Sequence, residues 1–214
     1  VGVLTGGRVQ WRVLSATGAP VGVTPDGSLV AAADGQAWKT ASEQLAGSAV
    51  SLQAPAGTSW SSVAGLAGRT LVAAFAVSAE EVVLRGFSTD TWAPLWTSTP
   101  VPVASGHTGT GVPPLWVAPE SGWGLYGSAW VDLSTGSVKT LPPDWATASI
   151  GIREAFGVVS GGVGVVSAEG VFTAPSRAAT MGSAVAPVAA TDASMALIVA
   201  SDGASSSLYA VPAP

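Results

Sequence analysis

A unit of three short apolar strands separated by turns recurs along this chain, and that recurrence restricts the fold more than any other feature. It is read in Pro20–Ser42, Trp60–Ser88, Pro114–Ser137, Ala155–Pro175 and Ala186–Pro212. The first turn of each unit falls near Gly27, Gly68, Gly122, Gly162 and Ala193, so the spacings are 41, 54, 40 and 31. Their average, about 41 residues, matches one four-stranded repeat of a radial all-β fold. Helix signals are scarce. Segments free of Gly and Pro for more than a turn or two are rich in Val, Thr and aromatic residues, which suit a pleated surface.

The turns carry matching chemistry. Asp26-Gly27, Asp34-Gly35, Glu169-Gly170 and Asp202-Gly203 stand where neighbouring antiparallel strands must reverse. Gly supplies positive φ there, and the acidic neighbour bonds the turn backbone. Ser48–Leu52, Pro94–Ser98, Val138–Leu141 and Thr180–Ala184 are expected to be outer fourth strands, leaving the last unit one strand short. Val9–Val13 has strand composition and is expected to close the ring by pairing with that last unit, which removes exposed sheet edges.

Within the third unit, Gly124–Lys139 runs strand, Asp-Leu, Ser-Thr-Gly, strand, an order that resembles a PQQ-type repeat. With the period of about 41 residues, the chain resembles the small bacterial β-propellers, including those with PQQ-like or WD40-like repeats. The resemblance implies an all-β propeller of one domain, residues 1–214, with five blades as the first choice and six as the second. Val1–Ser15 reads as the two-strand unit that a sixth blade needs. A two-sheet sandwich is the other all-β architecture. The WD dipeptide, the kelch double glycine with its aromatic partners and the PQQ-ligand set are all missing, so the resemblance transfers no functional residues.

Composition removes several classes of function. Thirteen acids against eight bases leave a net charge of −5 and no basic field for phosphates, so nucleic acid is not an expected partner. Apolar runs are too short for the roughly 20 residues of a membrane-spanning helix. With no Cys and a single His, His107, neither a thiolate nor a multi-histidine metal site can form, and no cofactor is expected. The absence of Asn and the presence of only Lys39 and Lys139 suggest a GC-rich bacterial genome. The chain starts at Val1 without Met, so a further segment is expected upstream, where a signal peptide or a membrane anchor could stand, and the protein is read as exported.

Six of the nine tryptophans, Trp92, Trp96, Trp116, Trp123, Trp130 and Trp145, fall in one stretch. The Pro- and Gly-rich run from Pro100 to Pro114, which holds His107, lies within it and accounts for the longest spacing. An exposed indole stacks on sugar rings or anchors a protein, whereas a buried one wedges between sheets. Trp92, His107, Trp116 and Trp123 are therefore the candidate ligand-binding residues. For carboxylate chemistry, Asp132 and Glu154 are the candidate pair, because each lies in or beside an expected strand, whereas Asp26, Asp34, Glu120, Glu169, Asp192 and Asp202 occupy expected turns. The structural reading of Asp132 is the start of a turn with Ser134 and Thr135.

The sequence reading is thus a non-catalytic extracytoplasmic module that presents a propeller face to a protein or glycan. A small glycoside hydrolase or lyase with carboxylates in a central funnel is the alternative. A spacer or sensor domain of a membrane-anchored protein is the third reading.

Overall fold

Where consecutive residues alternate between two sides, a strand can feed two cores at once, and this pattern organises the molecule. The computed structural model describes residues 2–5, 8–11, 19–40, 49–103, 115–118, 121–160, 162–174, 187–190, 195–201 and 206–212. These residues form 22 strands and no helix, and the fold is all-β. Two strands, β1 (Gly2–Thr5) and β2 (Arg8–Trp11), pair with each other.

Five antiparallel meanders follow. Sheet I comprises β3 (Ala19–Val23), β4 (Leu29–Ala33), β5 (Gln36–Thr40) and β6 (Val50–Ser51). In sheet II, β7 (Ser59–Ala67), β8 (Thr70–Ala76), β9 (Glu81–Ser88) and β10 (Pro94–Thr97) pair in order, and β11 (Val101–Pro102) also pairs with β9. Sheet III holds β12 (Leu115–Val117), β13 (Trp123–Tyr126), β14 (Ala129–Asp132) and β15 (Val138–Thr140). Sheet IV is β16 (Ala146–Ile150), β17 (Glu154–Val159), β18 (Gly162–Ser167) and β19 (Phe172–Thr173). The fifth, sheet V, contains β20 (Pro187–Ala190), β21 (Met195–Ser201) and β22 (Ser206–Pro212).

The sheets stack face to face, and the first strand of each lies beside the first strand of the next, in the order β3, β7, β12, β16, β20. Along β8, Leu71, Ala73 and Phe75 enter a core shared with Val30, Ala32 and Ala37 of sheet I. The intervening Val72 and Ala74 enter a second core with Leu115, Tyr126, Ala129 and Val131 of sheet III. A third core joins Trp123, Leu125 and Trp130 of sheet III to Ala155, Val159 and Val166 of sheet IV. Strands buried on both faces read as unbroken apolar runs, which is why β8 shows no polar alternation in its sequence.

The same closures recur at both ends of the sheets. Thr89 N–H donates to Arg69 O at 2.9 Å, Leu133 to Gly122 at 2.8 Å and Ala168 to Arg153 at 2.6 Å. At the opposite end Leu52 N–H donates to Gly35 O, Val103 to Glu80 and Leu141 to Ser128. Between β4 and β5, Asp34 and Gly35 have φ of 48° and 76°, the pair of positive angles a two-residue type I′ turn requires.

Four expectations need correction or fall outside the description. The fourth unit starts earlier than expected: β16 is its first strand, Glu154–Val159 its second, and Gly162 opens the third strand instead of ending the first turn. Phe172–Thr173 is its outer strand. Thr180–Ala184, expected in that role, lies outside the described residues, as does Asp202-Gly203. Among the described residues, β2 pairs with β1 and not with β22, so the expected N-terminal closure is not among the ladders. Two strands joined by a short connection satisfy each other's backbone groups locally.

Candidate binding face

Tryptophan divides into two populations according to which strand carries it. Trp96, on β10, and Trp123, at the start of β13, are buried between sheets. The indole N–H of Trp96 donates to Leu133 O of sheet III at 2.8 Å, and that of Trp123 to Ile152 O beside sheet IV at 3.0 Å. Trp145 stands edge-on to Phe172 at 6.0 Å, and Lys139 Nζ lies 5.1 Å over the Trp130 ring. Trp96 and Trp123 thus fasten one sheet to the next, the ring packing in the core and the lone donor satisfying a carbonyl across the gap, whereas Trp145 donates to Thr147 Oγ1 and the buried Nε1 of Trp130 has no partner.

Trp123, a candidate for ligand contact, is 2% exposed and spends its donor inside the protein. That corrects the assignment, because no face of this ring is left for a ligand. Trp92 sits in the β9–β10 turn with φ of 60°, its N–H on Ser88 O at 2.7 Å, half-buried against the core between sheets I and II. Trp116 is different. It occupies β12 and is 40% exposed. Its cross-strand partner Leu125 belongs to the core between sheets III and IV, so Trp116 faces sheet IV from the strand where that core ends. Trp92 and Trp116 therefore front different inter-sheet gaps and do not form one site. His107 lies outside the described residues.

Of the two candidate carboxylates, Asp132 is explained by its turn. Asp132 Oδ1 accepts from Ser134 N–H at 2.8 Å, Ser134 Oγ at 2.6 Å and Thr135 N–H at 3.2 Å. Burial raises its pKa, but these bonds to the charged form outweigh it, and the group is held below the usual carboxylate value. Ser88 and Ser167 fill the same position in sheets II and IV. Ser88 Oγ accepts from Asp90 and Thr91, and Ser167 Oγ accepts from Glu169 and Val171. In all three turns the first residue's N–H also donates across the turn, to Ala93, Ser137 or Val171. An acid that two serines replace elsewhere is a turn residue. Asp132→Ala is therefore expected to cost about 1 kcal/mol, and Asp132→Ser is expected to recover most of it; urea unfolding midpoints of the two variants test the equivalence.

Glu154 begins β17, opposite Ser167, on the second strand of its sheet. Neither carboxylate stands on a first strand. In fact β3, β7, β12, β16 and β20 contain no Asp, Glu, Lys, Arg or His at all. The row of strands at which a funnel would form is uncharged. Among the described residues no three His, Cys, Asp or Glu side chains form a metal-binding group, and no helix is long and apolar enough to cross a membrane.

Charge gathers instead at the turn end of sheets I and II. Lys39 Nζ reaches Asp90 Oδ1 at 2.7 Å and Asp26 Oδ2 at 3.1 Å, while Arg69 Nη1 reaches Asp90 Oδ2 at 2.9 Å. A hydrogen bond from Thr24, and then Lys39, holds Asp26 far below its usual range; Lys39, and then Arg69, lowers Asp90. The Asp90 bond raises Lys39. The carboxylates contribute above the ordinary carboxylate pKa and lose that contribution as pH falls through their depressed values. Lys39 contributes below its ordinary pKa and loses it as pH rises through the elevated one. This exposed network links two sheets and remains a minor part of stability.

One group of consequence was not legible in advance. Ser149 on β16 is 3% exposed, and its Oγ has no hydrogen-bond partner. A small hydroxyl in Ala-Thr-Ala-Ser-Ile gives no sequence signal, and only the burial makes it notable. No protein-family model matches this chain, and no curated protein matches it.

Proposed function

We propose that the five meanders are the blades of a small β-propeller, and that it serves as a non-catalytic binding module. In this reading an exported protein, secreted or attached to a bacterial cell envelope, presents one face to a protein or glycan. The neighbouring order of first strands supports radial stacking, since in a propeller those strands surround the axis. Five meanders favour five blades; the separate β1–β2 hairpin is the start of a sixth in the alternative count.

The observation that carries the binding role is Trp116. It is a large aromatic left 40% exposed on a first strand whose other residues, Leu115 and Val117, are buried and half-buried. An exposed indole on a rigid sheet supplies contact area at little entropic cost. The charge-free first strands count against a hydrolase with carboxylates in the funnel. Trp116→Ala is expected to abolish saturable binding, followed by tryptophan fluorescence during titration with soluble glycans and cell-envelope protein fractions, while lowering the unfolding midpoint only modestly. Undiminished binding by the variant would remove this site from the reading.

A further inference from the structure

We propose that a second copy of this chain docks end to end on the first, the β16–β17 turn of one copy meeting the β8–β9 turn of the other. The inference is independent of the role given to Trp116. It starts from an arginine that its own sheet leaves unpaired. Thr89 N–H on Arg69 O and Ala168 N–H on Arg153 O are the same closure in sheets II and IV, so Arg69 and Arg153 hold equivalent positions. The acids that follow the two donors, Asp90 and Glu169, are equivalent too. Arg69 is bound to Asp90. Glu169 instead accepts from Ser167 Oγ at 2.7 Å, and exposed Arg153 has no ion pair among the described residues. Beside it stand Ile152 and Val171, 40% and 58% exposed. Their turns are pinned from within, since Gly151 N–H donates to Glu154 O, the Trp123 indole to Ile152 O and Gly170 N–H to Ser167 O.

The complement lies at the opposite end of the stack. Glu80 and Glu81 are exposed there, and among the described residues no base pairs with either. Val77 and Val103, 44% and 40% exposed, flank them, with Val77 N–H on Glu81 O and Val103 N–H on Glu80 O. Ser78 Oγ accepts from both glutamate N–H groups and fixes the turn. Each patch thus sets two aliphatic side chains around charge of one sign, and the signs are opposite. Of the eight large apolar side chains exposed among the described residues, four belong to these patches, so one contact would cover half of them. Matched charge sets the orientation, and turns already fixed lose little freedom on docking. Because the two patches differ and lie at opposite ends, the contact is heterologous. A pair keeps one free patch at each end and adds further copies instead of closing about a two-fold axis.

Sedimentation velocity of the full chain tests this, at protein concentrations up to about 1 mM and in about 50 mM or about 500 mM salt. Association should extend past the dimer as concentration rises and weaken severalfold in the higher salt. Ile152→Ser/Arg153→Ser and Glu80→Gln/Glu81→Gln should each weaken it about tenfold or more, with thermal unfolding unchanged. Mixing the two variants restores one intact contact and should give one-to-one complexes that grow no further. A chain that stays monomeric throughout, a dimer that never grows, association that either variant leaves intact, or a mixture that stays apart would overturn the proposal.

Discussion

Trp123→Ala is expected to lower the unfolding free energy by about 3–5 kcal/mol, measured by chemical denaturation. The indole is 2% exposed and packed with Leu125, Ala155 and Val166 across the gap between sheets III and IV. Truncation forfeits that apolar burial and leaves a cavity that two sheets, each held by its own backbone ladder, close only in part. It also strands the carbonyl of Ile152, which receives the indole N–H at 3.0 Å. Trp116→Ala is the internal control: at the exposed edge of the same core it leaves no enclosed cavity, so its cost is expected to be about 1 kcal/mol, well below that of Trp123→Ala. Equal losses at the two positions would contradict the division between fastening and exposed tryptophans.

Gly86→Ala should be nearly as damaging, at about 3 kcal/mol, although it adds a single methyl group. Gly86 is the cross-strand partner of Trp96, and a Cβ there would lie 2.4 Å from the indole Cε2. The ring has nowhere to go. On its other side a Cβ at Gly136, in the sheet III turn, would lie 2.6 Å from Cε3, and the indole N–H is committed to Leu133 O. The indole is thus sandwiched between two glycines of different sheets. If this geometry is the cause, Gly86→Ala should cost much less in a Trp96→Leu background, and thermal melts of the four-member cycle give the coupling directly. Additive losses would point to an effect of Gly86 unconnected with the ring.

These two cases mark how far the sequence could be read. The Asp34-Gly35 reversal was legible because the type I′ turn has few chemical solutions, and Asp-Gly is one of them. The fourth unit was mis-phased for the opposite reason. Its true first turn, Gly151-Ile152-Arg153, has no acid–glycine pair, whereas Gly162, which announces a turn in the sequence, opens the third strand. Ala146–Ile150, with little aliphatic bulk, gave no competing strand signal. The site was legible only as a stretch rich in tryptophan. Trp116 and Trp123 have the same side chain and lie seven positions apart, yet one ends on the first strand of sheet III and the other inside a core. Sheet order decides that difference, and sheet order depends on contacts distant in sequence. The turn reading of Asp132, by contrast, needed only its neighbours Ser134 and Thr135, and the bonds to them are present.

The alternation along β8 also bears on how the molecule can come apart. Sheets II and III each contribute to two cores, so neither has a face on which it ends. A break between them would bare Val72, Ala74, Val82 and Leu84 on one fragment and Leu115, Ala129 and Val131 on the other. Those two surfaces already have the composition of an obligate subunit interface, complementary in shape and almost free of charge. Covalent continuity from one sheet to the next adds local concentration to an association that the faces themselves specify. The chain behaves as an assembly of subunits that happen to share one backbone.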